Sequence, residues 1–308
     1  MHAELTNSPL RRWQPAAWTT WVVLAFLLLP VGDGLTYFAA VALSATLLAL
    51  VPGALPRVRR TRDAEDLLAV AVLYLAIVVL MRLAFVVFTD ERVLGLFLAF
   101  AGALVLGVVG PVYYTVWRRG RPLADLGLRR DNLRPAIALA LLFGGVQFAL
   151  TLWGYELPAA VDWVPLLCMS LVVGVFEAIF FRGFIQTRLE RQFGTAPGIG
   201  GAALLYGAYH LGYGMGAEEM LFLVGLGVVY AVAFSLARNL LVLWPLLTPL
   251  GSFYANVEAG DIELPWASIA GFADVLGLMA LALWLAWRHE RKATATTEAP
   301  SVTSVSSR

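Results

Sequence analysis

The sequence predicts an all-α, polytopic transmembrane helix bundle of about ten helices, with both termini cytoplasmic. Three observations carry this. Of 308 residues, 60% are hydrophobic and only 14% charged, with a mean hydropathy of +0.78; a soluble domain carries roughly a quarter charged residues. The apolar residues gather in long runs, each close to what a lipid-spanning helix needs. Arginines crowd the alternate loops between those runs.

Residues 1–15 form a polar, cytoplasmic N-terminal tail with Arg11 and Arg12 beside the first run. That run, 16–29, lacks a small-x-small cleavage site and precedes many more spans, so it reads as a retained helix rather than a leader. The second run, 35–55, follows the Gly32-Asp33-Gly34 turn and ends at Arg57, Arg59, Arg60 and Arg62. The third, 67–88, carries Arg82, free to snorkel outward. The polar turn 89–92 leads to the fourth, 93–117. The segment 118–134 is too charged to span, and its Leu123, Leu126 and Leu128 suit a position on the membrane surface.

The fifth span, 135–153, contains Gln147, and the sixth, 163–185, contains Glu177 and Arg182. The seventh, 197–213, contains His210; the eighth is 220–237 and the ninth 240–254. An acidic loop with Glu258, Asp261 and Glu263 precedes the tenth, 266–287, which contains Asp274. The transmembrane domain is thus 16–287, and 288–308 is a cytoplasmic basic stub and Thr/Ser/Ala tail with too little apolar content to fold.

Arginines flank the N-terminus, the loops after spans two, four, six and eight, and the C-terminus. The other loops carry Asp33, Asp90, Glu91, Glu156, Asp162, Glu218, Glu219, Glu258, Asp261 and Glu263, with Arg92 the basic exception. By the positive-inside rule both termini face the cytoplasm, in the plasma membrane.

Composition also excludes classes. There is no basic tract with interleaved aromatics, so no nucleic-acid partner is expected. Cys168 is the single cysteine, which leaves no internal disulfide, and it reads as a small buried hydrophobe. The three histidines are His2, His210 and His289, and two lie in polar tails. One histidine and one glutamate are too few for a catalytic zinc, so no metal and no cofactor is expected. No internal repeat is legible, which tells against a transporter built of two related halves.

The chemistry concentrates in two stretches, 176–184 and 206–210. Each sets an ionisable side chain, Glu177 or His210, deep in an apolar run, where it is costly. Ser170, Gly174 and Glu177 share one helical face; Gly200, Ala203, Tyr206, Gly207, His210 and Gly214 form a similar stripe on the next helix. Such stripes turn toward other helices. At 1.5 Å per residue Glu177 lies roughly 12 Å, and His210 roughly 18–20 Å, from the cytoplasmic side, about one turn apart. A carboxylate and an imidazole in one shielded cavity can share a proton and activate a water. The alternative is a structural Glu–His hydrogen bond between helices.

Glu177-Ala178-x-x-x-Arg182-Gly183 followed by Tyr206-x-x-x-His210 resembles the CPBP family of intramembrane proteases. That family includes the type II CAAX prenyl endopeptidases and abortive-infection-like proteins. The resemblance covers about 160–257, and Leu126-Gly127-Leu128 is similar to a common family feature. It implies an intramembrane endopeptidase in which Glu177 is the base and His210 its partner in activating water, with Tyr206 at the second motif's aromatic position. The substrate would be a membrane-anchored protein or peptide, cut near the cytoplasmic half of the bilayer. Arg182 would be the arginine that orders the motif, although so near the boundary it could also snorkel.

The sequence departs from the family pattern at three places. Ala178 replaces a second glutamate, Tyr206 replaces a phenylalanine, and the histidine of a third, His-x-x-x-Asn motif is missing because no histidine lies between His210 and His289. Thr248 and Ser252 have the spacing of that lost pair and are candidate oxyanion donors; near Pro245 and Pro249 they could equally bond their own backbone. These losses keep a second reading open: a catalytically inactive relative that binds a membrane peptide or partner.

Overall fold

A computed structural model describes residues 13–30, 33–56, 58–89, 92–152, 157, 159–259 and 264–298. The sequence features at 1–12, Asp90, Glu91, Glu156, Asp261, Glu263 and 299–308 lie outside the described residues. Among the described residues there is no strand.

Ten helical rods follow one another: α1 Gln14–Leu27, α2 Gly34–Leu50, α3 Ala64–Val87, α4 Val93–Arg118, α5 Leu133–Thr151, α6 Ala160–Phe193, α7 Thr195–Ala208, α8 Ala217–Ala237, α9 Leu247–Ala259 and α10 Ser268–Glu298. α7 continues as a 3-10 turn, Tyr209–Tyr213, and short 3-10 turns also cover Leu123–Leu126 and Leu240–Val242. Among the described residues seven helical stretches are long and apolar enough to cross a bilayer: α3, α4, α5, α6, α8, most of α10, and Leu240–Val257, which joins the turn before α9 to most of α9. Each expected span corresponds to one rod.

Three boundaries moved for physical reasons. The ninth helix starts at Leu247 rather than 240, since Pro245 lies in the preceding turn. Pro249 falls in the helix's first turn, where a missing N–H leaves no bond unmade. The sixth runs past Ile185 to Phe193. The tail from 288 continues α10 as helix through Glu298.

The even-to-odd connections gather at one end, rich in arginine. Arg119 pairs with Asp63 and Glu65, Arg121 with Asp66, Arg191 with Asp125, and Arg238 with Glu190. At the opposite, acidic end the start of α2 touches the start of α8 at Gly34 and Glu218. There Arg82 donates to the Leu211 carbonyl at 3.1 Å.

The segment 118–134 corrects the surface expectation. Leu126 is fully buried and Leu123 nearly so. The reason is Gly183: a side chain there would begin 2.5 Å from the Leu126 carbonyl oxygen. The missing side chain lets the 3-10 turn sink into the arginine-rich end.

α6 is the central rod. Two-thirds of its most apolar window is buried, 67% against 17% for α10. At 1.5 Å per residue its 34 residues run about 50 Å, longer than the ~30 Å hydrocarbon core. Its middle, Ala178–Gln186, is wound as π-helix, a form frequent at functional sites. α9 lies against α6, and α8 against α7 and α2.

Candidate active site

Glu177 is the last α-helical residue before the π stretch, and its side chain is buried. Two phenols of α7 and its 3-10 extension hold the carboxylate. The Tyr209 hydroxyl donates to Oε1 at 2.6 Å, and the Tyr206 hydroxyl to Oε2 at 3.3 Å. Tyr206 and Tyr209 are three residues apart, so one helical face delivers both. Each carboxylate oxygen keeps acceptor capacity.

His210 is buried one residue further along. Its Nδ1 lies 3.0 Å from the Tyr206 carbonyl of the preceding turn. A carbonyl only accepts, so Nδ1 carries the proton and donates, and Nε2 is left as the acceptor of the neutral ring. The ring stacks tilted on Tyr209, centroids 4.0 Å apart. Among the described residues no hydrogen bond joins Glu177 to His210. The direct Glu–His bond is replaced by an indirect link, in which Tyr209 grips the carboxylate with its hydroxyl and the imidazole with its ring.

Both groups line one cavity of about 720 Å³. Tyr206, Tyr209, Thr248 and Ser252 line it too. Every sequence candidate except Arg182 therefore meets at this cavity. Arg182 is also fully buried, which excludes snorkelling. Its guanidinium lies 5.0 Å from the Tyr206 ring centroid, a cation–π contact, and neither terminal nitrogen has a hydrogen-bond partner among the described residues. Arg182 does not line the cavity and meets it only through the Tyr206 ring.

The small-residue stripes do not face each other. A side chain at Gly174 would strike Pro249 and the Thr248 hydroxyl on α9, and one at Gly207 would lie 2.7 Å from the Met220 carbonyl on α8. Each stripe seats a later helix, while Gly200 faces open space. The gap between α6 and α7 is filled by aromatic rings instead. Thr248 Oγ1 lies 3.3 Å from the Gly174 carbonyl and 3.4 Å from that of Leu243, so its hydroxyl is turned to backbone.

Sequence reasoning missed two residues. Tyr209 makes the shortest bond to Glu177; its signal was its three-residue spacing from Tyr206. Asn256 lines the cavity, and its Nδ2 donates to the Ser252 carbonyl at 2.7 Å. Ser252-x-x-x-Asn256 has the spacing of the third motif, one turn beyond the register set on Thr248, so an asparagine is present where the first register found none. Gln147 also lines the cavity, whereas Asp274 is exposed on α10.

Residues 158–246 match the family model described as type II CAAX prenyl endopeptidase Rce1-like. This segment resembles that family. The match covers less than a third of the chain and supports the resemblance read from Glu177, Arg182 and His210, while the long apolar helices are those of an integral membrane protein. No curated protein and no solved structure matches the chain. The Rce1-like segment spans α6 to the turn before α9 and stops two residues short of Thr248.

Proposed function

We propose that the Rce1-like segment is the active site of an intramembrane endopeptidase that cuts a membrane-anchored protein or peptide. One observation supports this most: Glu177 and His210 line the same cavity, with Tyr209 bonded to the carboxylate and stacked on the imidazole. A water there has two acceptors. Glu177 takes its proton while His210 orients it, and the oxygen attacks the peptide carbonyl carbon. The carbonyl π pair moves to oxygen and the intermediate is tetrahedral. Collapse breaks the C–N bond, and the proton held by Glu177 passes to the leaving nitrogen. Tyr209 fixes the carboxylate in the aiming position. Ser252, Asn256 and a rotated Thr248 are the donors nearest the developing oxyanion, where each good donor is worth about 10²–10³ in rate.

The test is cleavage of membrane-anchored peptides by purified wild type beside Glu177→Gln and His210→Ala. Cleavage that survives Glu177→Gln removes this mechanism. A second reading, an inactive relative that binds a membrane peptide, is favoured by the Thr248 hydroxyl being turned to backbone and by Ala178. It expects peptide binding with no cleavage by any variant.

A further inference from the structure

The cavity around Glu177 carries a phenol that neither the fold nor the proposed reaction uses. Tyr206 and Tyr209 spend their hydroxyls on the carboxylate. Tyr230, on α8, lines the same cavity and is buried. Its hydroxyl has no hydrogen-bond partner among the described residues. Its ring stands 6.2 Å from the Tyr206 ring, centroid to centroid, at 70°. The hydroxyl rests against Gly251 of α9. A side chain there would begin 2.5 Å from the Tyr230 oxygen and 3.0 Å from the end of the Gln147 amide. That amide is already tied to α9: turned to satisfy both ends, it donates to the Leu247 carbonyl at 2.9 Å and accepts from the Gly251 N–H at 3.0 Å. The missing side chain of Gly251 therefore leaves room beside a hydroxyl that no described residue takes up. Buried in a dry core, such a hydroxyl would cost about 1–3 kcal/mol; at a cavity wall it meets whatever enters. Two of the donors on α9 are less ready. Thr248 is turned to backbone, and Asn256 donates to the Ser252 carbonyl of its own helix.

We propose that Tyr230 is a further catalytic residue, whose hydroxyl donates a hydrogen bond to the oxyanion of the tetrahedral intermediate. A peptide carbonyl lying beside the Tyr206 ring can turn its carbon to the water at Glu177 and its oxygen to Tyr230. As water attacks, the carbonyl π pair moves to oxygen. The Tyr230 O–H meets the growing charge and keeps its own proton. The donor is neutral and its ring is packed, so it is in place before the charge develops. The role rests on the hydrolytic reading, but the affinity of the site for a tetrahedral anion is measurable without it.

Two measurements on the full chain in detergent test this, with Tyr230→Phe beside Tyr37→Phe. Tyr37 carries another buried hydroxyl with no partner among the described residues, and it does not line the cavity. The first measurement is cleavage of a membrane-anchored peptide. Tyr230→Phe is expected to lower kcat by about 10²–10³ with little change in KM, the usual loss of one oxyanion donor. Tyr37→Phe is expected to leave both unchanged. The second is binding of the same peptide with a phosphonate at the scissile position, against one with an N-methylated amide there. Wild type should prefer the phosphonate, and Tyr230→Phe should lose that preference by a similar factor. Cleavage by Tyr230→Phe at the wild-type kcat, or a phosphonate preference unchanged in it, overturns the proposal. So does an equal loss in Tyr37→Phe, which would assign the effect to packing. If wild type cuts nothing yet prefers the phosphonate through Tyr230, the anion site stands and the hydrolytic reading falls. If it neither cuts nor prefers the phosphonate, both fall.

Discussion

The two halves of α6 are built from similar residues and do opposite things. Toward the acidic end, Met169, Val172, Val173 and Phe176 line open space. Toward the arginine-rich end, Phe180, Phe181 and Phe184 are packed without exposed surface. The ionisable groups divide in much the same way, with Arg182 the exception: it is buried in the packed half and meets only the Tyr206 ring. In the packed half, Glu190 meets Arg238 and Gln186, and Arg188 meets Thr115 and the Phe184 carbonyl. In the open half, Glu177 takes its hydrogen bonds from phenols. A buried charge matched by an opposite charge or a carbonyl is structural; one held by neutral donors at a cavity wall is free to do chemistry. The π stretch is where one regime gives way to the other.

The largest test of this contrast is Glu177→Gln. The amide keeps the shape and can still accept from Tyr209, so folding should persist while peptide cleavage falls by about 10²–10⁴, the usual share of a general base. Phe180→Ala should do the opposite. It opens a void in the packed half and should cost about 3–5 kcal/mol, seen as a lower melting temperature in detergent. Tyr209→Phe removes the 2.6 Å bond to the carboxylate. A hydrogen bond to a charged group is worth about 1.5–3 kcal/mol, so kcat should drop roughly 10- to 100-fold with little change in KM. The smallest effect should come from Arg118→Ala. Its ion pair with Glu65 is 63% exposed on the arginine side, so melting should shift by no more than about 1 kcal/mol.

The ten rods and their alternation were legible because hydropathy and arginine placement are local properties of the chain. Glu177 and His210 stood out for the same reason, as expensive residues in apolar surroundings. What stayed hidden depends on contacts between distant segments. Gly174 and Gly207 announced close packing but not the partner, and each took a later helix rather than the other. Leu126 carries the pattern of a surface turn, and only Gly183, 57 residues on, explains its burial. Tyr209 sat inside a recognised stretch, yet its hydroxyl acquires meaning only when α7 is laid beside α6. Asn256 was passed over because the register of the third motif was set on Thr248, and one-dimensional spacing cannot choose between two registers one turn apart.

The phenylalanine block beneath Glu177 has an electrical consequence. A cavity deep in a bilayer shortens the path that ions and protons must cross. Moving one charge through the whole membrane field is worth about 2.3 kcal/mol per 100 mV. Much of that drop must then fall across Phe180, Phe181, Phe184 and the buried Leu126 turn. They act as the insulation of the cell, and a small residue in their place risks turning a reaction chamber into a leak.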